Sequence, residues 1–115
     1  MSRKFKFRAW DSVNKNMELN VHLLDSFNEI LHKEKYNVMQ FTGFRDKNGK
    51  DIYEGDIIKQ TIPYDPETKT DEFIEIDKVI YDDAMYQIDG YPLYVCLEFD
   101  CEIIGNIYEN TELLK

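Results

Sequence analysis

The sequence predicts a mainly β fold, a β-rich α+β domain. Its expected form is a small, bent, partly open barrel of antiparallel strands, with one short internal helix and a C-terminal helical turn. Three observations predict it. Apolar and polar residues alternate over runs of strand length, as at Phe5, Phe7 and Ala9 and from Leu93 to Ile103. The pair Asn48-Gly49 lies between two such runs and is the strongest short hairpin signal. Eight Tyr and seven Phe in 115 residues suit pleated, half-buried surfaces. A hydrophobic fraction of 43% excludes a disordered chain, and the length favours one domain over residues 1–115.

Each element has its own signal. Phe5, Phe7 and Ala9 alternate with Lys4, Lys6, Arg8 and Trp10, which predicts a first strand with one polar face. After a turn-rich stretch from Asp11 to Asn16, Met17, Leu19 and Val21 resume the alternation. Phe27, Ile30 and Leu31 have helical spacing, which Leu23 or Leu24 extends. The helix is expected within 22–35, capped by Asp25 or Ser26, with Glu29 in its first turn and Lys33 and Lys35 near its end. Val38, Gln40 and Thr42 form a strand ending at Gly43, and the hairpin at Asn48-Gly49 follows. Gly55-Asp56 introduces a strand over Ile57–Ile62, with Gly allowing the backbone to bend.

Two prolines mark 63–71 as a loop, and Phe73–Tyr81 reads as a strand. Asp82-Asp83 is a turn, and Met85, Tyr86 and Ile88 form a short strand before Gly90. From Leu93 to Ile103 every second residue is apolar, which predicts one bent strand or two strands joined near Asp100. Gly105-Asn106 makes a turn or bulge, and Asn110 caps a last turn through Leu113-Leu114.

Composition bounds the setting. No apolar run approaches the roughly 20 residues that span a bilayer. The basic N-terminus has no apolar signal core behind it, so no secretory targeting is expected. Cys96 and Cys101 are five apart, on opposite faces of any continuous strand, which points to free thiols and a reducing cytoplasm. The net charge of −9 is uneven. Residues 1–50 carry 10 Lys/Arg against 6 Asp/Glu, and residues 51–115 carry 4 against 17. The acidic half is either a solvated surface or one pole of a molecule suited to head-to-tail association.

The chemistry expected is sparse. Asp46-Lys47-Asn48-Gly49-Lys50-Asp51 begins like a calcium loop, but Gly49 is fourth and Ile57 takes the place of the acidic twelfth ligand. Asp82, Asp83, Glu98, Asp100 and Glu102 are the carboxylates a magnesium-dependent hydrolase would need. The last three share strand parity, which equally describes a charged, solvent-facing edge. His22 and His32 are too far apart for a one-turn ligand pair, and no nucleophile or phosphate-loop motif is present. No catalytic residue, metal site or cofactor is therefore expected.

A candidate interaction surface is expected at Lys4, Lys6, Arg8 and Trp10 with Arg45, Lys47 and Lys50 of the hairpin. Basic residues beside an aromatic can hold a nucleic-acid backbone and stack a base. The overall negative charge opposes that use. The leading expectation is a non-enzymatic module acting through protein contacts, with itself as a homo-oligomer or with another protein. Nucleic-acid binding is the alternative and a metal-dependent hydrolase a lesser one.

Three stretches are distinctive: Arg8-Ala9-Trp10-Asp11; Met39 through Ile57, containing Thr42-Gly43-Phe44-Arg45-Asp46-Lys47-Asn48-Gly49-Lys50-Asp51-Ile52-Tyr53-Glu54-Gly55-Asp56; and Ile104-Gly105-Asn106-Ile107-Tyr108-Glu109-Asn110 with Glu112-Leu113-Leu114. In this order they resemble the YopX family of phage and prophage proteins. Thr111 departs from the pattern, which leads one to expect Pro. The resemblance implies a β-rich fold of bacterial or bacteriophage origin and brings no catalytic residue with it. Its motif residues Gly43, Asn48, Gly49, Tyr53, Gly55, Asp56, Gly105, Asn106 and Tyr108 are expected to serve turns and core.

Overall fold

The computed structural model describes residues 4–114; part of the basic N-terminal run, through Arg3, lies outside the described residues. Two antiparallel sheets account for most of it, and one of them curls into half a barrel. The first sheet is built from β1 (Phe7–Asp11), β2 (Asn16–Glu18), β3 (Tyr36–Arg45) and β4 (Asp51–Tyr53), in the order β2-β1-β3-β4. The second comprises β5 (Asp56–Ile62), β6 (Phe73–Asp82), β7 (Met85–Ile88), β8 (Tyr91–Pro92) and β9 (Asp100–Asn106), in the order β8-β7-β6-β5-β9.

Each sheet has its own core. Ala9, Val21 and Ile30 are buried under the first, with Phe7, Phe27, Tyr36 and Val38 packed around them. The larger core of the second gathers Ile58, Val79, Ile88, Leu93, Cys96 and Cys101. Ile52 of β4 belongs to this second core, so the first sheet is anchored in the hydrophobic interior of the second. Between β4 and β5 the chain passes from one sheet to the other at Gly55. There φ is +87°, which favours glycine, and an added Cβ would also press on Met39 Sδ at 3.1 Å.

The expected helix over 22–35 is shorter and broken. Val21–Leu23 form a 3-10 turn and α1 covers only Phe27–His32. Ser26 holds the N-cap position without a capping side-chain bond, and Lys35 turns away to Asp11. Fewer than two turns cannot bury a full apolar stripe, and Leu23, Leu24 and Leu31 stay exposed.

The alternation from Leu93 to Phe99 does not make a strand. Leu93–Cys96 form a second short helix, α2, and β9 begins at Asp100. Leu93, Cys96 and Leu97 are also apolar at helical spacing, and a helical turn sends Leu93 and Cys96 into the core while Tyr94 faces solvent. Pro92 at the N-cap suits that start, since proline has no N–H to leave unbonded. One consequence is that Glu98 lies outside the strand holding Asp100 and Glu102, so the three do not share a strand face.

The hairpin turns also differ from expectation. Gly49 takes φ +78° but Asn48 does not enter the positive region, so this is not a two-residue Asn-Gly turn. Instead the Gly49 N–H donates to Asp46 O at 2.9 Å, and the Asp46 carboxylate accepts the N–H groups of Asn48 and Lys50. Two consecutive positive φ values occur at Asp83-Ala84, between β6 and β7, and at Asp89-Gly90, between β7 and β8. The loop at 63–71 forms the tip of a long β5–β6 arm, closed by an Asp65–Thr70 bridge.

Candidate functional site

The structure disperses the seven residues of the candidate interaction surface. β1 is an inner strand of its sheet, and the β4–β5 connection folds over the side that carries Arg8 and Trp10. Both are buried. The Arg8 guanidinium donates to Asp56 Oδ1 at 2.9 Å and to Glu54 O at 3.3 Å, and lies 4.7 Å from the Tyr53 ring centroid. Asp56 accepts the Tyr53 N–H at 2.7 Å. Burial pushes the Asp56 carboxyl up, against the opposing pull of Arg8 and the Tyr53 amide. Trp10 stacks on Tyr108 at 5.7 Å. β1 begins only at Phe7, so Lys4 and Lys6 precede the strand, and the four residues form no continuous exposed strip; Arg8 and Trp10 join the two sheets.

Most of the remaining cations have partners. Lys6 Nζ lies 2.8 Å from Asp51, which also meets Arg45 Nε at 3.1 Å. The Lys6 hydrogen bond, aided by Arg45, holds the Asp51 carboxyl below its ordinary range despite partial burial. Lys47 Nζ sits 3.2 Å from Asp100 and 3.5 Å from Glu102, and the hydrogen bond to Asp100 raises its pKa. Those two carboxylates thus serve a lysine. Among the described residues no three His, Cys, Asp or Glu side chains gather where they would hold a metal ion. Lys50 is exposed beside the turn. Lys4 and Arg45 border an open groove of about 680 Å³ between β3 and the β7–α2 region.

The pattern among these pairs is one the sequence did not reveal. Of six ion pairs among the described residues, five join a cation from residues 6–47 to a carboxylate from residues 51–102. The basic half clasps the acidic half of the same chain. Asp46 strengthens the clasp. Burial pushes its carboxyl up, but the N–H groups of Ile103, Lys50 and Asn48 outweigh this and leave it lowered. Through Ile103 it ties the hairpin turn to β9, and the Lys47 N–H donates to Cys101 O beside it. The closest signal in sequence was an aspartate two residues before Asn48-Gly49, a common Asx-turn arrangement.

The remaining candidate residues make local contacts. His22 Nδ1 accepts the Phe7 N–H at 3.0 Å, and His32 Nδ1 lies 2.7 Å from Asn28 O. Cys96 and Cys101 are free and buried, and burial pushes the Cys101 thiol up to about 12, which holds it protonated. Asn106 accepts the N–H groups of Tyr108 and Glu109, while Asn110 accepts that of Asn106. Gly105 packs so closely on Asn110 that a Cβ there would lie 2.5 Å from its Oδ1.

A different surface is exposed and apolar. Cross-strand neighbours share a face, and the register pairs Thr61 with Ile74 and Asp100, and Lys59 with Ile76 and Glu102. Ile58 and Cys101 point into the core, so this second set lies on the outer face. Ile74 is 58% exposed, Ile76 40% and Ile80 37%. Ile74 and Ile76 thus adjoin on this face of β6 and Ile80 follows beyond Lys78, with Lys59, Asp100 and Glu102 on the neighbouring strands. The C-terminal 3-10 turn, Thr111–Leu114, also packs against β6. No helix among the described residues is long and apolar enough to cross a membrane.

Comparison with known proteins identifies the family. The family described as YopX protein matches residues 18–115. The crystal structure of protein EF1440 from Enterococcus faecalis is similar over 99% of this chain and 100% of its own, with 26% identity and a TM-score of 0.66. The structure of protein yopX from Bacillus subtilis is similar over 96% of this chain and 98% of its own, with 20% identity and a TM-score of 0.52, a likeness of fold. No curated protein matches the chain significantly. The chain belongs to the YopX family.

Proposed function

We propose that this YopX-family protein is a non-enzymatic phage or prophage accessory protein that works through protein contacts in the cytoplasm of a bacterial host. Its partner on this reading is a second copy of itself, docked through the outer face of the β5–β6 arm. The observation that carries the proposal is the exposed row Ile74, Ile76 and Ile80. A contiguous apolar surface on a small protein marks an interaction site more often than a scattering of single residues does. The surrounding charges favour a second copy as occupant. Lys59 and Lys78, in no ion pair among the described residues, lie on the same face as Asp100 and Glu102, whose one internal partner is Lys47, so a two-fold related face can set further cations against those carboxylates.

The charge difference between the halves is a weaker motive for association, because five internal ion pairs already use it. Association through isoleucines predicts a dimer that persists or tightens at high salt, whereas head-to-tail association by charge would weaken. Size-exclusion chromatography with light scattering tests this. The expected result is a dimer that Ile76→Asp converts to a folded monomer. A strict monomer at every salt and protein concentration overturns the proposal.

A further inference from the structure

We infer that the open groove between β3 and the β7–α2 region binds a nucleobase together with its phosphate, as part of a single strand or as a free nucleotide. Its volume of about 680 Å³ falls within the range of small-ligand sites. Phe5, Phe41, Phe44 and Tyr86 line it, and Lys4 and Arg45 stand at its margin. Of these rings Phe44 is 37% exposed. Large aromatics left in solvent beside cations are the arrangement that stacks bases and holds phosphates.

The groove owes its shape to a bulge. The register of β3 on β4 shifts between Phe41 and Arg45, where Gly43 takes φ +89°. Residues on both sides of the bulge therefore line one hollow. An added Cβ at Gly43 would meet nothing within 4 Å, so the floor there is open backbone. Asp51 takes both Lys6 and Arg45, and Arg45 bonds to it through Nε while its side chain stays 57% exposed. Lys6 also lies 4.9 Å from the Phe41 ring centroid. Lys4 and Arg45 at the margin suit one phosphate, while the acidic remainder of the chain disfavours a long duplex.

This site is separate from the outer face of β6, so the two proposals can fail independently. The test is fluorescence anisotropy of a short labelled oligothymidine strand at low salt, with the matching duplex and thymidine monophosphate as competitors. The strand is expected to bind, and the duplex to compete poorly. Phe44→Ala should weaken binding about tenfold, since stacking on one ring is worth roughly 1–3 kcal/mol. Arg45→Gln should weaken it and flatten its salt dependence. Competition by the monophosphate on equal terms assigns the groove to free nucleotides; failure to compete assigns it to strands. Absence of binding by both strand and monophosphate, or binding indifferent to Phe44→Ala and Arg45→Gln in variants with native circular dichroism, overturns the inference.

Discussion

The junction between the sheets and the β5–β6 arm treat charged and apolar residues in opposite ways. At the junction, cations are matched to carboxylates across the chain, and the Arg8–Asp56 pair is withdrawn from water with its side chains only 9% and 3% exposed. Along residues 63–84 of the arm there are eight carboxylates and two lysines, and no ion pair involves them among the described residues. Its isoleucines face outward. The difference teaches where this chain places its specificity. A buried pair with fixed hydrogen bonds defines how the two sheets meet. The arm is held by its strand ladder, which leaves side chains on the outer face free for contacts.

The largest expected effect breaks the junction. Arg8→Met removes the countercharge of a buried carboxylate, and losing one partner of such a pair typically costs about 3–5 kcal/mol. A urea denaturation series should show the midpoint falling steeply, with Asp56→Asn falling less because the Tyr53 N–H keeps an acceptor. A midpoint unmoved by Arg8→Met would show that the pair does not hold the sheets together.

A smaller effect, of opposite sign, belongs to the arm. Ala84 sits at φ +61°, where a Cβ costs about 1–2 kcal/mol. Ala84→Gly should therefore stabilise the protein by about 1 kcal/mol, visible as a rise of a few degrees in Tm. The gain is limited because glycine also loses more backbone freedom on folding.

A third test sharpens the comparison by pH. The Asp11 carboxylate accepts the N–H groups of Asn14 and Val13 and lies 3.5 Å from Lys35 Nζ. The Asn14 N–H is the main cause that lowers its pKa to about 2. A carboxyl lowered on folding contributes stability above its unfolded pKa, and that contribution is lost as pH falls through the folded value. Wild type should thus lose stability relative to Asp11→Asn between about pH 4 and pH 2. A constant difference between the two across that window would contradict the assignment.

The smallest effect is the mirror of the first. Ile76→Asp, on the exposed face, should change the stability of the isolated chain by no more than about 0.5 kcal/mol, as read from melts at low protein concentration. A large loss would mean that the isoleucine row is already covered within the fold.

Much of the strand architecture was legible. The alternation at Val38–Thr42 and the runs rich in β-branched and aromatic residues at Ile57–Ile62 and Phe73–Tyr81 became β3, β5 and β6, because such side chains fit a pleated surface. Alternation misled at Leu93–Phe99. Over one or two turns, Leu93, Val95 and Leu97 fit a strand while Leu93, Cys96 and Leu97 fit a helix, and only the core decides which set is buried. The turn prediction placed a hairpin correctly at Asn48-Gly49 but not its geometry, since the Asp46 carboxylate captured the local amides.

The surroundings of the candidate surface were not legible for a related reason. Lys4, Lys6, Arg8 and Trp10 share parity, and parity says which residues share a face but not what covers it. The partners of Arg8 and Lys6 are 48 and 45 residues away, and nothing local in the sequence announces them.

By itself the sequence determined the β-rich character, most strand positions, the family, and the uneven charge of the two halves, because alternation, turn chemistry and composition act over a few residues. The tertiary structure alone decided that the basic half clasps the acidic half, that Arg8 and Trp10 turn inward, and that isoleucines of β6 turn outward. Those outcomes depend on which strands become neighbours, and contacts between distant residues form only when the whole chain closes on its two cores.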